Sequence, residues 1–304
     1  MRAALCIETI GEAVRKCGAS HYPLYASAAN FLAGSWEFFS DRFKLLYFSF
    51  FELILTAGLI LKITFTPAQA ANIPLVLLFS FVQIYLIYLL IKILIVRNGK
   101  DKRRHEIEFP LKNGSYLVTD GGDSRVSRIM NYHYHSPVHK RNKTNLSMIF
   151  ATDVVKTGNG GARFLPKQNE QYAIFNENLY SPMEGEVIKV VNDIEDNIPF
   201  IGKYPYNTGN TVVVRGGKYY FLLGHLRQGS ITVKEDEHVK RGDLLGRVGN
   251  SGYSERPHLH MQLIESESEN YWSGKGVCIQ YRGRNLYKNR RIRCPDTFSN
   301  AAFL

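Results

Sequence analysis

Gly224-His225-Leu226 and, further on, Pro257-His258-Leu259-His260 decide how this chain is read. Both lie in residues 209–265, where apolar runs such as Thr211-Val212-Val213-Val214 alternate with the glycine turns Gly216-Gly217, Arg241-Gly242-Asp243 and Gly249-Asn250-Ser251-Gly252. Side chains on a strand alternate with period two, so His258 and His260 share a face. His225 closes an earlier strand-like run, 219–226. Three imidazoles on one sheet face predict a metal site or an acid/base site.

The β texture continues on both sides. Residues 107–112 lead into Asn113-Gly114, a hairpin signal, and then Ser115-Tyr116-Leu117-Val118-Thr119. Residues 185–191 read as another strand, and no long amphipathic helix is evident after residue 105. The expected fold class of residues 107–304 is all-β, an antiparallel sheet arranged as a sandwich or as an open sheet with long loops. A chain of 304 residues has room for a real core.

The N-terminal third differs. Residues 1–43 have no basic start leading straight into an apolar core, so no signal peptide is expected. Residues 45–65 are apolar except chiefly for Glu52 and Lys62, and residues 73–96 have Gln83 and Lys92 as their strongly polar members. Each run can cross a ~30 Å hydrocarbon core as a helix of roughly 20 residues. The predicted organisation is an N-terminal segment (1–43), a transmembrane hairpin of two α-helices (44–97), a basic linker (98–106) and the β domain. A carboxylate in lipid is costly and usually paired or functional, which singles out Glu52; Lys62 and Lys92 can snorkel. Arg42 and Lys44 precede the first run, Arg97, Lys100, Lys102, Arg103 and Arg104 follow the second, and the loop between is uncharged. The positive-inside rule then puts both termini in the cytoplasm.

The net charge of +11 is unevenly spread. Residues 1–104 carry net +6, and residues 270–295 carry seven basic side chains and no acidic one, leaving −2 for the rest of the chain. That partition excludes a uniformly basic nucleic-acid binder. The tail mixes Tyr271, Trp272, Tyr281 and Tyr287 with its cations, Arg290 and Arg291 among them, which suggests contact with an anionic polymer or lipid surface. Four cysteines are too few for a disulfide scaffold and lack Cys-x-x-Cys spacing; Cys278 and Cys294 could close a short loop.

A zinc hydrolase needs three protein ligands and an open position. The carboxylate candidate is Asp153, a lone acid in Phe150-Ala151-Thr152-Asp153-Val154-Val155, where an uncompensated charge would be expensive. Asn131-Tyr132-His133-Tyr134-His135 offers two more imidazoles on one strand face, and His139 follows. Taken singly, His225 is an ordinary polar strand residue and Asp153 a salt-bridged structural acid; their company makes the site.

The ordered series Gly209-Asn210-Thr211-Val212-Val213-Val214, Gly224-His225-Leu226, Val239-Lys240-Arg241-Gly242-Asp243-Leu244-Leu245-Gly246, Gly249-Asn250-Ser251-Gly252 and His258-Leu259-His260 resembles the M23 (lysostaphin/LytM-like) metallopeptidases. Tyr180-Ser181-Pro182-Met183-Glu184-Gly185-Glu186-Val187 is similar to that family's first sheet strand, and the resemblance covers about residues 130–265. It implies a zinc-dependent endopeptidase with an antiparallel sheet, in which His133, Asp153 and His260 hold Zn2+. His225 and His258 would assist proton transfer and hold developing oxyanion charge. The family's compact His-x-x-x-Asp motif is stretched here, with about twenty residues between His133 and Asp153, including Lys140-Arg141-Asn142-Lys143; His135 stays open as an alternative to His133. Ser254-Glu255-Arg256-Pro257 stands where Ser-Thr-Gly-Pro is commoner. The expected activity is cleavage of peptide cross-links in peptidoglycan or a related envelope substrate, at a bacterial membrane; the alternative is a non-catalytic envelope scaffold. The charge rule places the domain inside and the wall lies outside, so the topology is in tension with the substrate.

Overall fold

The computed structural model describes residues 73–98, 103–135, 146–157, 166–201 and 208–296. The chain divides into two compact units, 1–95 and 96–304. The first apolar run, Glu52, Lys62 and the loop after them, along with residues 1–43, lie outside the described residues.

The second apolar run is one helix, α1 (Ile73–Asn98). It contains no proline after Pro74 and no glycine, so nothing interrupts its hydrogen-bond ladder. Phe81, Ile84, Tyr85, Tyr88, Ile91, Leu94 and Ile95 are exposed, as on a helix that is apolar all round rather than on one stripe. Among the described residues no helix is long and apolar enough by itself to cross a membrane.

The second unit is mostly antiparallel β-structure. Its strands are β1 (Arg104–Glu106), β2 (Gly114–Asp120), β3 (Thr152–Lys156), β4 (Asn178–Tyr180), β5 (Gly185–Val191), β6 (Asn210–Gly216), β7 (Tyr219–Leu226), β8 (His238–Val239), β9 (Leu244–Arg247), β10 (Leu259–Glu265), β11 (Lys275–Gly276), β12 (Cys278–Tyr281), β13 (Arg284–Asn285) and β14 (Arg291–Cys294). A nine-stranded sheet runs β14-β2-β3-β10-β7-β6-β5-β8, with β11 beside β10. Smaller sheets β1-β12-β13 and β4-β9 complete the unit, and β1 pairs with β12 in parallel. The antiparallel sheet expected for residues 107–304 is found, and residues of the smaller sheets, such as Leu179, Leu245, Ile279 and Tyr281, pack into the same core as the large one.

Period-two alternation sorts the residues of the long strands. Val154, Val212, Val214, Phe221, Leu223, Leu259, Met261 and Leu263 point into the main core. Val213, Tyr220, Leu222 and Ile264 point the other way and form a second cluster with Tyr271 and Trp272. With both faces covered, the strands read as nearly continuous apolar runs. His260 and Gln262 share the second face with Ile264, so this face is polar at one end and apolar at the other.

The hairpin expected at Asn113-Gly114 does not form. Asn113 does take a left-handed backbone, φ 56°, but the preceding residues dive into the core: Ile107, Phe109 and Leu111 are buried. Pro110 has no N–H for a ladder; its carbonyl accepts from the Tyr180 N–H, while the Ile107 N–H donates to Gln280 O. β2 pairs instead with β14 and β3. No disulfide joins Cys278 to Cys294.

Candidate metal centre

β10 carries the centre because its neighbours on both sides contribute to one spot. In register, His260 faces Asp153 on β3 and Gly224 on β7. Each neighbour is irregular at that level. Between Val118/Val154 and Asp120/Asp153, β2 advances two residues while β3 advances one. Between Val212/Leu223 and Asn210/Leu226, β7 advances three residues and β6 two. Bulges of this kind re-aim side chains. His225, inside the second one, adopts φ 59°, a conformation a non-glycine residue adopts only where surroundings hold it. Its N–H donates to Thr208 O and its carbonyl accepts from the Gly249 N–H. Close packing requires two glycines: at Gly209, which has positive φ, a Cβ would collide with the Ser251 carbonyl, and at Gly249 with the Arg227 backbone.

Asp153 is the hub. Its Oδ1 lies 3.2 Å from His133 Nε2 and 3.0 Å from His260 Nδ1, and its Oδ2 lies 3.6 Å from His258 Nε2. The rings of His225 and His258 have centroids 4.7 Å apart. The His133, Asp153 and His260 side chains each offer one ligand atom, all within 4.8 Å of one another. The His260 side chain is 3% exposed, whereas those of His133, Asp153 and His258 are 14–16% exposed, so the cluster meets solvent on their side.

Each imidazole has its second nitrogen tied to an oxygen. His133 Nδ1 meets Asn131 Oδ1 at 2.7 Å, His225 Nδ1 meets Ser251 O at 2.8 Å, His258 Nδ1 meets Arg256 O at 2.8 Å, and His260 Nε2 meets Gln262 Oε1 at 3.4 Å. Carbonyl oxygens only accept, so each of these nitrogens carries the hydrogen and the other presents a lone pair. His133 Nε2, His260 Nδ1 and His258 Nε2 then turn lone pairs toward a carboxylate. Such a donor set wants a cation, and anchoring of the outer nitrogen is how metal-ligating histidines are oriented. His133, Asp153 and His260 are therefore a set that could hold a metal ion such as Zn2+.

Without a cation, the Asp153 charge and its imidazole neighbours stabilise one another instead. Burial pushes the Asp153 carboxyl up, but the imidazoles of His133 and His258 outweigh it and hold the pKa well below the usual range. Burial pushes His133 down, and the Asp153 charge more than restores it, leaving its pKa raised. Burial, reinforced by the neighbouring His258 and His260, depresses His225 well below 6.5. Burial also lowers His258, against the pull of Asp153. His225 and His258 are thus neutral bases at neutral pH.

Sequence reasoning placed His133 and His135 on a strand. The structure has a 3-10 turn there, His133–His135, and the two imidazoles part: His135 Nε2 lies 2.9 Å from Ser124 O, away from the cluster. The turn follows from buried Asn131, whose Oδ1 also accepts from the His133 N–H and whose Nδ2 donates to Gly122 O and Ala151 O. His139 and the basic insert lie outside the described residues. Reasoning from sequence missed Asp120, which faces Asp153 across the β2 bulge and accepts from the Tyr132 N–H; burial raises its pKa to about 6, against the charges of Lys288 and His133. It also missed Gln262, held by Ser147. The i, i+2 spacing His260-x-Gln262 was the available signal.

Residues 171–271 match the model of peptidase family M23. That segment contains His225, His258 and His260 but not His133 or Asp153. Endolysin 2638A of Staphylococcus phage 2638A is 39% identical over 67 residues, 21% of this chain and 14% of that protein. Peptidoglycan DD-endopeptidase ShyA of Vibrio cholerae serotype O1 is 41% identical over 61 residues, 20% of this chain and 14% of that protein. The chain therefore spans only a small part of either relative's length. Among solved structures, a zinc-containing peptidase from Vibrio cholerae is similar over 56% of this chain and 37% of its own, with 22% identity and a TM-score of 0.33.

Proposed function

We propose that the chain is a membrane-anchored zinc metalloendopeptidase that cuts peptide cross-links of peptidoglycan or a related envelope polymer. The convergence of His133 Nε2, Asp153 Oδ1 and His260 Nδ1, each histidine fixed from behind, carries this reading. Bound zinc would supply Lewis-acid polarisation of the scissile carbonyl and of a water. His225 and His258, neutral, with their rings 4.7 Å apart beside the cluster and each Nδ1 tied to a backbone carbonyl, would take a proton from the attacking water and deliver one to the leaving amine. In their protonated form they would offset negative charge developing on the carbonyl oxygen. The anchor rests on the apolar runs 45–65 and 73–96 and on the exposed apolar residues of α1; the substrate rests on the similarity to a peptidoglycan DD-endopeptidase.

Metal analysis and turnover of the full chain on purified cross-linked sacculi form the test. One zinc per chain is expected, lost together with activity in His260→Ala and Asp153→Ala. A His260→Ala protein with full zinc and full activity sinks the ligand assignment. Stoichiometric zinc without turnover on any wall peptide makes the chain a binding module instead.

A further inference from the structure

We propose a second binding site: a polar pocket, at the end of β2 and β3 remote from the metal centre, that takes a short zwitterionic peptide. The inference deepens the peptidase reading and rests on it only for the source of such a peptide. The pocket has a volume of about 470 Å³ and lies between the large sheet and the β4–β9 sheet. That is within the roughly 300–1,000 Å³ of ligand sites. Its walls include Asn113 before β2, Lys156 at the end of β3, Asn176 and Asn178 at the start of β4, Arg247 at the end of β9 and Asp296 after β14. Lys156 stands three residues beyond Asp153 on β3, roughly 10 Å along the strand. The odd spacing turns the two side chains to opposite faces, so the pocket is no arm of the metal centre.

The charges of the pocket select the occupant. Lys156 Nζ lies 2.7 Å from Glu177 Oε1, so that pair is already closed. Arg247 is exposed, and its Nη1 donates to Asn176 Oδ1 at 3.2 Å; Arg227 Nη1 donates to the same oxygen at 2.5 Å. Two guanidinium groups thus converge on one neutral acceptor, and among the described residues neither has an ion pair. The acceptor is fixed in place: Asn176, at φ 67°, donates its N–H to Val248 O. Asp296, exposed on another wall, also has no ion pair among the described residues. An unpaired cation and an unpaired anion that line one cavity without joining are complementary to a ligand carrying both charges. The guanidinium suits a carboxylate, Asp296 an ammonium, and the amides of Asn113 and Asn178 a peptide backbone. An apolar ligand finds no wall here, because the Tyr180 ring is capped by Lys112 Nζ at 4.0 Å from its centroid.

Saturation-transfer NMR of trialanine added to the full chain, stripped of metal by chelator, provides the test. Trialanine with free ends is expected to bind, and its N-acetylated and C-amidated forms each about fivefold more weakly, as for the loss of one exposed charge pair. In Arg247→Gln the free acid and the amide should bind alike; in Asp296→Asn the free and the acetylated amine should. Both side chains are exposed, so both variants should unfold at the temperature of the parent. Absence of binding overturns the proposal, as does equal binding of all three probes by the parent or unchanged discrimination in the variants. Turnover of the zinc-loaded chain on sacculi is read separately. End-selective binding without turnover refutes the peptidase reading and keeps the pocket, whereas turnover without end-selective binding refutes the pocket alone.

Discussion

Replacing Asn131 separates the scaffold of the centre from its chemistry. The side chain is completely buried and makes four contacts: two donated by Nδ2, at 2.7 and 2.8 Å, and two accepted by Oδ1, from the His133 N–H at 3.1 Å and its ring Nδ1 at 2.7 Å. Each is worth about 1 kcal/mol net, and removal leaves buried partners unsatisfied. Asn131→Ala should therefore cost about 3 kcal/mol of zinc-free stability. The same change frees His133 to present either nitrogen, which should weaken zinc binding about 10- to 100-fold. Asn131→Asp keeps the acceptor for His133 but loses both donors, so it should lose comparable stability while binding zinc nearly as well as the parent. Thermal unfolding without metal and competitive chelator titration with zinc report the two effects separately. Zinc affinity unchanged within about twofold in Asn131→Ala would refute the idea that this amide orients the ligand.

Gln262→Ala should weaken zinc binding by less than Asn131→Ala, because its contact with His260 is 3.4 Å rather than 2.7 Å; chelator titration ranks the two. His225→Ala should keep its zinc and lose about 10²- to 10⁴-fold in turnover, and undiminished turnover would remove His225 from the chemistry. The depressed pKa values of His225 and His258 give a stability signature in the zinc-free chain. Below pH 6.5 the unfolded imidazoles take up protons that the folded ones refuse, so stability is lost as pH falls below 6.5. Denaturant midpoints should drop from pH 7 to pH 5, less so in His225→Gln; equal slopes would contradict the linkage. His133 and Asp120 work in the opposite direction, both having raised pKa values, that of Asp120 about 6.

Much of the centre was legible because its second half is local. His258 and His260 lie two residues apart next to a strand start, and period two alone aligns them. Asp153 stood out as an acid among apolar neighbours. The first half was less legible: whether His133 or His135 faces the cluster depends on a 3-10 turn fixed by Asn131, a tertiary contact without periodicity. Neither bulge could be read, since a bulge is a mismatch between two strands and each strand alone looks regular. That is why Asp120 escaped notice. Asn113-Gly114 misled because its left-handed backbone is real while burial of Ile107, Phe109 and Leu111 sends the preceding chain elsewhere. The basic tail was visible as composition, but only the fold distinguishes Arg290, occupied by backbone carbonyls, from the exposed arginines beside it.

The position of β10 also bears on when the molecule becomes competent. It separates β3 from β7 in the sheet although both precede it in the chain. During synthesis, β2–β3 and β5–β6–β7 can each pair locally, but neither piece contains the cluster and each holds an unfilled edge. Only arrival of residues 259–265 joins them and delivers His260 to Asp153 and His133. A nascent chain, or one truncated before β10, would carry most of the histidines yet no centre, so the metal site could form only after residues 259–265 have emerged.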